Sequence, residues 1–193
     1  MEAFHTIQGE GFHQGKAAYF IRLAGCDVGC HWCDVKESWD REAYPEVPLA
    51  DIISKGLMYP ARMAVITGGE PLMHDLTALT SALKEAGFNT HIETSGVYPL
   101  TGIIDWICFS PKKFKPSDPV IFDRAHELKV IIYHQNDLEW AMGFQEKINP
   151  ACRLYLQPEW SRREKMIPLI RTFILENPQW EISLQIHKYM NIP

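Results

Sequence analysis

Ala18-Tyr19-Phe20-Ile21-Arg22-Leu23-Ala24-Gly25-Cys26-Asp27-Val28-Gly29-Cys30-His31-Trp32-Cys33 is the stretch on which the fold turns. Its first seven residues are an almost unbroken apolar run of strand length. Gly25 opens a loop in which Cys26, Cys30 and Cys33 stand in a C-x3-C-x2-C arrangement. Three soft thiolates on so short a tether can grip three corners of an iron-sulfur cubane, which leaves the fourth iron open for chemistry. The alternative is a non-catalytic zinc module with His31, His187 or Asp34 as fourth ligand. The usual zinc pattern pairs two C-x2-C units, or one such unit with H-x3-H, and neither pairing occurs here. Cys108 and Cys152 lie within apolar runs and read as buried core.

Outward from this strand and loop, short apolar runs alternate with amphipathic segments along the whole chain. Runs at 18–24, 63–66, 90–93, 106–109, 128–132, 153–156 and 181–185 read as seven strands. Pro48 precedes a helix carrying Leu49, Ile52, Ile53 and Leu57 at helical spacing. Asp75 caps a helix with Leu76, Leu79 and Leu83, which Gly87 closes. Asp137 starts another, with Leu138, Ala141 and Met142. Ser161 and Glu164 form a capping box for the helix carrying Ile167, Ile170 and Ile174, which Asn177-Pro178 stops. Residues 111–119 read as a loop, and residues 35–59, with only one convincing helix, as an irregular region over the site. Strands alternating with helices give an α/β fold with a parallel sheet. Seven strands in 193 residues fall short of the eight strands and roughly 250 residues of a full barrel. The expectation is a single domain over 1–193, an incomplete, open parallel (β/α) barrel trimmed relative to a TIM barrel.

Composition narrows the function classes. With 46% hydrophobic residues, including six Trp, seven Tyr and nine Phe, the chain can fill a core and is not intrinsically disordered. Nineteen basic against 24 acidic residues give a net charge of -5, which offers no general attraction for nucleic acid. No apolar run approaches the roughly 18 residues of a membrane span, and the N-terminal residues lack a signal-peptide pattern. The expected location is the cytoplasm.

With an aromatic residue, Trp32, just before its last cysteine, the cysteine motif resembles that of the radical S-adenosylmethionine superfamily. Thr67-Gly68-Gly69-Glu70-Pro71, after the second strand, is similar to the superfamily's G-G-E-P motif. Its glycines allow close backbone approach to a ligand, and Glu70 can accept from an ammonium group. Glu93-Thr94-Ser95-Gly96, Ser110-Pro111-Lys112 and Gln157-Pro158-Glu159-Trp160 also follow strands, where ligand sites of parallel barrels gather. Singly these read as a turn, a cap, a surface lysine and a loop; together they read as one site. The resemblance implies a 4Fe-4S cluster on Cys26, Cys30 and Cys33. It implies S-adenosylmethionine bound by Trp32, Gly69, Glu70, Ser95, Ser110, Pro111, Lys112 and Gln157.

Phe4-His5-Thr6-Ile7-Gln8-Gly9-Glu10-Gly11, the strand 18–24, and the terminal Gln185-Ile186-His187-Lys188-Tyr189-Met190-Asn191-Ile192-Pro193 narrow the resemblance to the 7-carboxy-7-deazaguanine synthase family. That likeness implies a homodimeric, ammonia-releasing carbon-nitrogen lyase of queuosine and related deazapurine biosynthesis. It would contract the ring of 6-carboxy-5,6,7,8-tetrahydropterin, with the 5'-deoxyadenosyl radical as hydrogen abstractor and flavodoxin or ferredoxin as reductant. Ile7, Gln8 and Gly9 would meet the pterin edge, with Glu10 assisting. Arg22 would meet the substrate carboxylate, for which a guanidinium fork is suited. Thr67, His187 and the carboxylate of Pro193 would complete the pocket. Taken alone, Arg22 reads equally as a strand residue paired with a surface acid, and Pro193 as a frayed end.

The family's cluster motif commonly continues with a hydroxyl residue that binds magnesium, but this chain reads Cys33-Asp34-Val35. Valine offers no oxygen to a cation that takes oxygen ligands. Three routes stay open: a nearby oxygen such as that of Asp34 substitutes, substrate and water hold the ion, or Lys36 supplies the charge. A glycyl-radical activating enzyme would share the cluster and G-G-E-P features, without need of Gln8-Gly9-Glu10 or His187.

Overall fold

A computed structural model describes all of residues 1–193. The strand next to the cysteine loop runs over Ala17–Leu23 and is the second of eight; β1 is Glu2–Ile7 and β2 is Ala17–Leu23. They are followed by β3 (Met63–Gly68), β4 (Asn89–Thr94), β5 (Trp106–Phe109), β6 (Glu127–Ile132), β7 (Arg153–Pro158) and β8 (Trp180–Ile182). All eight lie in one sheet in chain order. β2 to β8 are parallel, as the seven expected strands, while β1 adds an antiparallel edge, with Glu2 opposite Arg22 and Ile7 opposite Ala17. β1 escapes a search for apolar runs because it is half exposed; one visible support is the Phe4 ring stacked on Phe20 at 5.6 Å.

β8 and β1 do not pair, so the barrel stays open. The gap is spanned by non-strand contacts. Gly11 N–H donates to Ser183 Oγ at 2.9 Å, Ile186 N–H to the Gly9 carbonyl at 3.0 Å, and Thr6 Oγ1 to the Pro193 carbonyl at 3.2 Å.

The helices are α1 (Leu49–Leu57), α2 (Thr77–Glu85), α3 (Val120–Arg124), α4 (Asn136–Gln145), α5 (Arg163–Glu176) and α6 (Ile186–Met190). The five-residue α3 and α6 are too short to show a helical period. Asp75 caps the start of α2 by accepting from Thr77 N–H and Oγ1, and Gly87 ends it at φ +81. Two expected caps are corrected. Asp137 lies inside the first turn of α4, its carboxylate accepting from Tyr133 and His134 N–H at 2.7 Å. Ser161 is itself a donor to Glu159, which caps the short turn before α5. The last expected strand, 181–185, is also shorter: β8 ends at Ile182.

The alternation along each strand sorts the chain into two layers. Tyr19, Ile21, Ala64, Ile66, Ile92, Ile107, Phe109, Leu128, Val130, Leu154 and Leu156 belong to a 25-residue apolar cluster packed between sheet and helices. Their neighbours in register, including Arg22, Thr67, Glu93, Lys129 and Gln157, line the space enclosed by the sheet. The fold therefore holds its oil on the outside of the barrel wall and its polar groups within.

Candidate active site

Parallel strands deliver their following loops to one end of the barrel, and there the loops enclose a cavity of about 280 Å³. Cys26, Cys30, Cys33 and Trp32 line it from the loop after β2, and Thr67, Gly69 and Glu70 from β3 and its loop. Ser95, Ser110, Lys112 and Gln157 enter from β4, β5 and β7, and Ile7, Gln8, Gly9, Glu10, Arg22, His187 and Pro193 complete the wall. Of the residues expected at the site, only Pro111 stays out: it is buried behind the lining.

The cysteine loop is fixed by its neighbours. Gly69 N–H donates to the Leu23 carbonyl at 3.0 Å and Glu70 N–H to the Gly25 carbonyl at 2.9 Å. A side chain at Gly69 would strike the Gly25 carbonyl and come within 2.8 Å of Cys26 Cβ, so glycine is required by the closeness of the two backbones. Asp27 anchors the outer part of the loop by accepting from Tyr98 Oη and pairing with Lys115, each at 2.6 Å. All three cysteines are free thiols. Burial raises the Cys26 pKa and pushes that of Cys30 up to about 11 against the opposing charge of Lys112. The donor set fits an iron-sulfur cluster held by three thiolates, whose assembly must displace protons from those thiols. Each side chain considered as a fourth zinc ligand is engaged elsewhere. His31 packs edge-on to Tyr133 at 5.1 Å, His187 packs over Gly9, and Asp34 pairs with Lys188 at 2.6 Å.

Glu70 is 2% exposed and fully committed to protein donors. Leu72 N–H and Thr94 Oγ1 reach one carboxylate oxygen at 3.1 and 2.5 Å, and Ser95 N–H and Oγ reach the other at 2.8 and 2.5 Å. A carboxylate offers about four lone-pair sites, and these are taken. Glu70 therefore ties the β3 loop to the β4 loop, and Ser95 serves it as donor.

Opposite the cysteines lies a buried charge network. Lys129, from the middle of β6, pairs with Glu10 at 2.5 Å and Glu93 at 2.6 Å. Gln8 donates to Glu93 at 3.0 Å and Gln185 to Glu10 at 2.9 Å. Burial works against both charges, but the pairing prevails: Lys129 is held well above its ordinary pKa, and Glu10 well below its own. Burial lowers the pKa of His187, so its imidazole is neutral at pH 7. Arg22 satisfies both readings offered by the sequence, since it lines the cavity and also pairs with Glu2 at 2.5 Å. Pro193 is docked on Thr6 rather than frayed.

Residues 18–109 thus carry the cysteine loop and the glycine loop in one half of a barrel, and the family model falls on that same half, while similar proteins match the chain along nearly its whole length. The Radical SAM superfamily model matches residues 20–109. A 7-carboxy-7-deazaguanine synthase of Flavobacterium psychrophilum is 53% identical over 193 residues, covering 100% of this chain and 91% of the relative. One from Synechocystis is 48% identical, covering 99% and 91%. The crystal structure of QueE from Escherichia coli matches with a TM-score of 0.80 at 34% identity, covering 95% of this chain and 92% of that one. The chain belongs to the 7-carboxy-7-deazaguanine synthase family. Membership in that family sets aside the zinc module and implies the 4Fe-4S cluster and S-adenosylmethionine, for which the residues present are suited.

Magnesium fares differently. Val35 lines the cavity without an oxygen, and the Asp34 carboxylate is engaged by Lys188 at 2.6 Å and Gln185 at 3.2 Å. Lys36, one of the three routes left open by the sequence, lies over the Trp39 ring at 6.0 Å. The side chains at this point do not fit a magnesium ion held as the family's hydroxyl residue holds one.

Sequence reasoning missed Glu93, Lys129 and Gln185 as site residues. For Lys129 a signal was present, because a lone lysine amid Leu128, Val130, Ile131 and Ile132 must face a polar interior. No helix is long and apolar enough to cross a membrane.

Proposed function

We propose that this chain converts 6-carboxy-5,6,7,8-tetrahydropterin into 7-carboxy-7-deazaguanine with loss of ammonia, as a radical S-adenosylmethionine lyase. The observation that carries the reading is one cavity shared by three cysteine thiols and a polar wall of Gln8, Glu10, Glu93 and Lys129, in a chain of this family. When bound, the cluster and S-adenosylmethionine supply one-electron chemistry that removes and returns a hydrogen atom.

The remaining roles fall to the chain. Gly69 lets backbone lie against the cluster loop, and Trp32, Ser110, Lys112 and Gln157 form the adjoining wall for the nucleoside and methionine parts. Lys112 is held over Trp32 at 5.5 Å by its bonds to Ser110. Ile7, Gln8 and Gly9 present backbone and amide groups to the pterin edge, with Glu10 alongside. Arg22 and Thr67 face its carboxylate, and neutral His187 and Pro193 close the pocket. A cavity walled by the C-terminal segment suits a small ring system better than the protein backbone that a glycyl-radical activating enzyme must admit. One sheet running from Glu2 to Ile182 supports reading 1–193 as a single domain. A homodimer, a cytoplasmic location and a flavodoxin or ferredoxin reductant complete the reading and rest on the family resemblance.

The test compares the 6-carboxy substrate with the analogue lacking the carboxylate. Loss of a charge-assisted bidentate contact is expected to lower kcat/KM by about 100-fold in the unaltered enzyme. The preference is expected to collapse in Arg22→Met. Equal use of both compounds by the unaltered enzyme would contradict the assignment.

A further inference from the structure

The two peptide groups that lead into Cys26 are each held at both ends. The first, between Ala24 and Gly25, donates its N–H to the Ser38 carbonyl at 2.7 Å, and its carbonyl meets His74 Nε2 at 2.8 Å. The second, between Gly25 and Cys26, donates to the Trp39 carbonyl at 3.2 Å and accepts from Glu70 N–H at 2.9 Å. Gly25 lies between them at φ +108. Glycine restrains its own backbone least of all residues, so the direction of the two planes is set by these four bonds. Three of them run from backbone to backbone and need no particular side chain. The fourth comes from the His74 imidazole, 50 residues along the chain.

A carbonyl oxygen only accepts, so His74 Nε2 carries the hydrogen of this bond. The ring is placed by the turn that follows Glu70. Its own N–H donates to the Pro71 carbonyl at 3.1 Å, and its carbonyl accepts from Thr101 Oγ1 at 3.4 Å. His74 is half-buried and stands outside the cavity lining, so it reaches the site only through the loop it holds. We propose that His74 is a positioning residue of the cysteine loop: by holding the Ala24 carbonyl it fixes the direction in which Cys26 presents its thiol to the cluster. The inference rests on the cluster reading of the three cysteines and is independent of the pterin.

The test compares His74→Phe, which keeps a ring without a donor, with His74→Gln, whose amide nitrogen can reach the same carbonyl. In the full-length chain without its cluster, hydrogen exchange at the Gly25 and Cys26 amides is expected to rise about tenfold in the Phe variant, as loss of one bond opens the loop locally. It is expected to return toward the original rate in the Gln variant, with exchange in β4 and β6 unchanged in both. After anaerobic reconstitution the Phe variant is expected to hold about half the iron of the unaltered chain. Its reduced cluster is expected to give an altered electron paramagnetic resonance spectrum, which the Gln variant restores. Unchanged exchange at Gly25 and Cys26 in the Phe variant, a uniform rise across the strands, or Phe and Gln variants that behave alike would each overturn the inference. If the unaltered chain takes up no cluster, the cluster reading fails, and the exchange comparison still decides whether His74 holds the loop.

Discussion

Lys129 is 4% exposed at its side chain and lies between two carboxylates, so it is the residue whose removal leaves most uncompensated charge. Lys129→Met leaves Glu10 and Glu93 buried without their cation, and breaking such a pair costs about 3–5 kcal/mol. Denaturant unfolding of the variant checks that loss. Glu70→Gln tests a different idea at the same scale. The substituted amide turns two of its own hydrogens toward donors that now point at a carboxylate. Formation of 5'-deoxyadenosine is expected to fall about 100-fold through loss of positioning, while iron content stays near its original value. Intact cofactor cleavage in that variant would show that Glu70 does not position the loops. The cysteines and Gly69 were legible because thiolate spacing and glycine sterics are local chemistry. Glu70 was legible as a site residue but not in its role, since its four donors come from Leu72, Thr94 and Ser95. Two of these residues lie on another strand or its loop, and only the assembled sheet brings them within reach.

The loop from Gln8 to Lys16 joins the antiparallel edge to β2 and carries both the cavity-lining Gln8, Gly9 and Glu10 and a half-buried histidine. Both imidazole nitrogens of His13 are buried without a partner. The ring lies 4.5 Å from that of His91 and 4.7 Å from Trp106. Burial lowers the pKa of each histidine to about 4, with Lys16 adding to the effect on His13 and His13 to that on His91. A depressed pKa means that unfolding takes up protons below the unfolded value of about 6.5. Stability is therefore present in full above that pH and declines from there toward pH 4, with an uptake approaching two protons. His13→Phe is expected to remove about one of them, read as a shallower dependence of unfolding midpoint on pH. The cysteine loop gives a steric counterpart. Gly69→Ala drives a methyl group into the Gly25 carbonyl and Cys26, and iron incorporation is expected to fall by at least half while the far-ultraviolet circular dichroism is kept. The parallel strands were readable as apolar runs. β1, α3 and α6 were not, because a half-exposed edge and two single turns have no period to recognise.

Across the whole molecule the two layers divide the labour. The apolar layer between sheet and helices holds the fold, and Phe109→Ala within it is expected to cost about 3–5 kcal/mol without altering the chemistry of the cavity. The inner layer carries charge and ligand-facing groups, which is why a polar residue recurs at alternate positions of otherwise apolar strands. The open side of the barrel was foreseeable from strand count and length. Its bridging by Ser183, Ile186 and Pro193 was not, since contacts between residues far apart in the chain arise only once the curved sheet brings its two edges near each other. The central claim, that this barrel performs radical ring contraction of a carboxylated pterin, is tested most directly by anaerobic turnover. Reconstituted protein with about four iron per chain is supplied with dithionite, S-adenosylmethionine and 6-carboxytetrahydropterin, and the products are read by mass spectrometry. The account predicts 7-carboxy-7-deazaguanine; 5'-deoxyadenosine formed without it would contradict the substrate assignment while leaving the radical machinery in place.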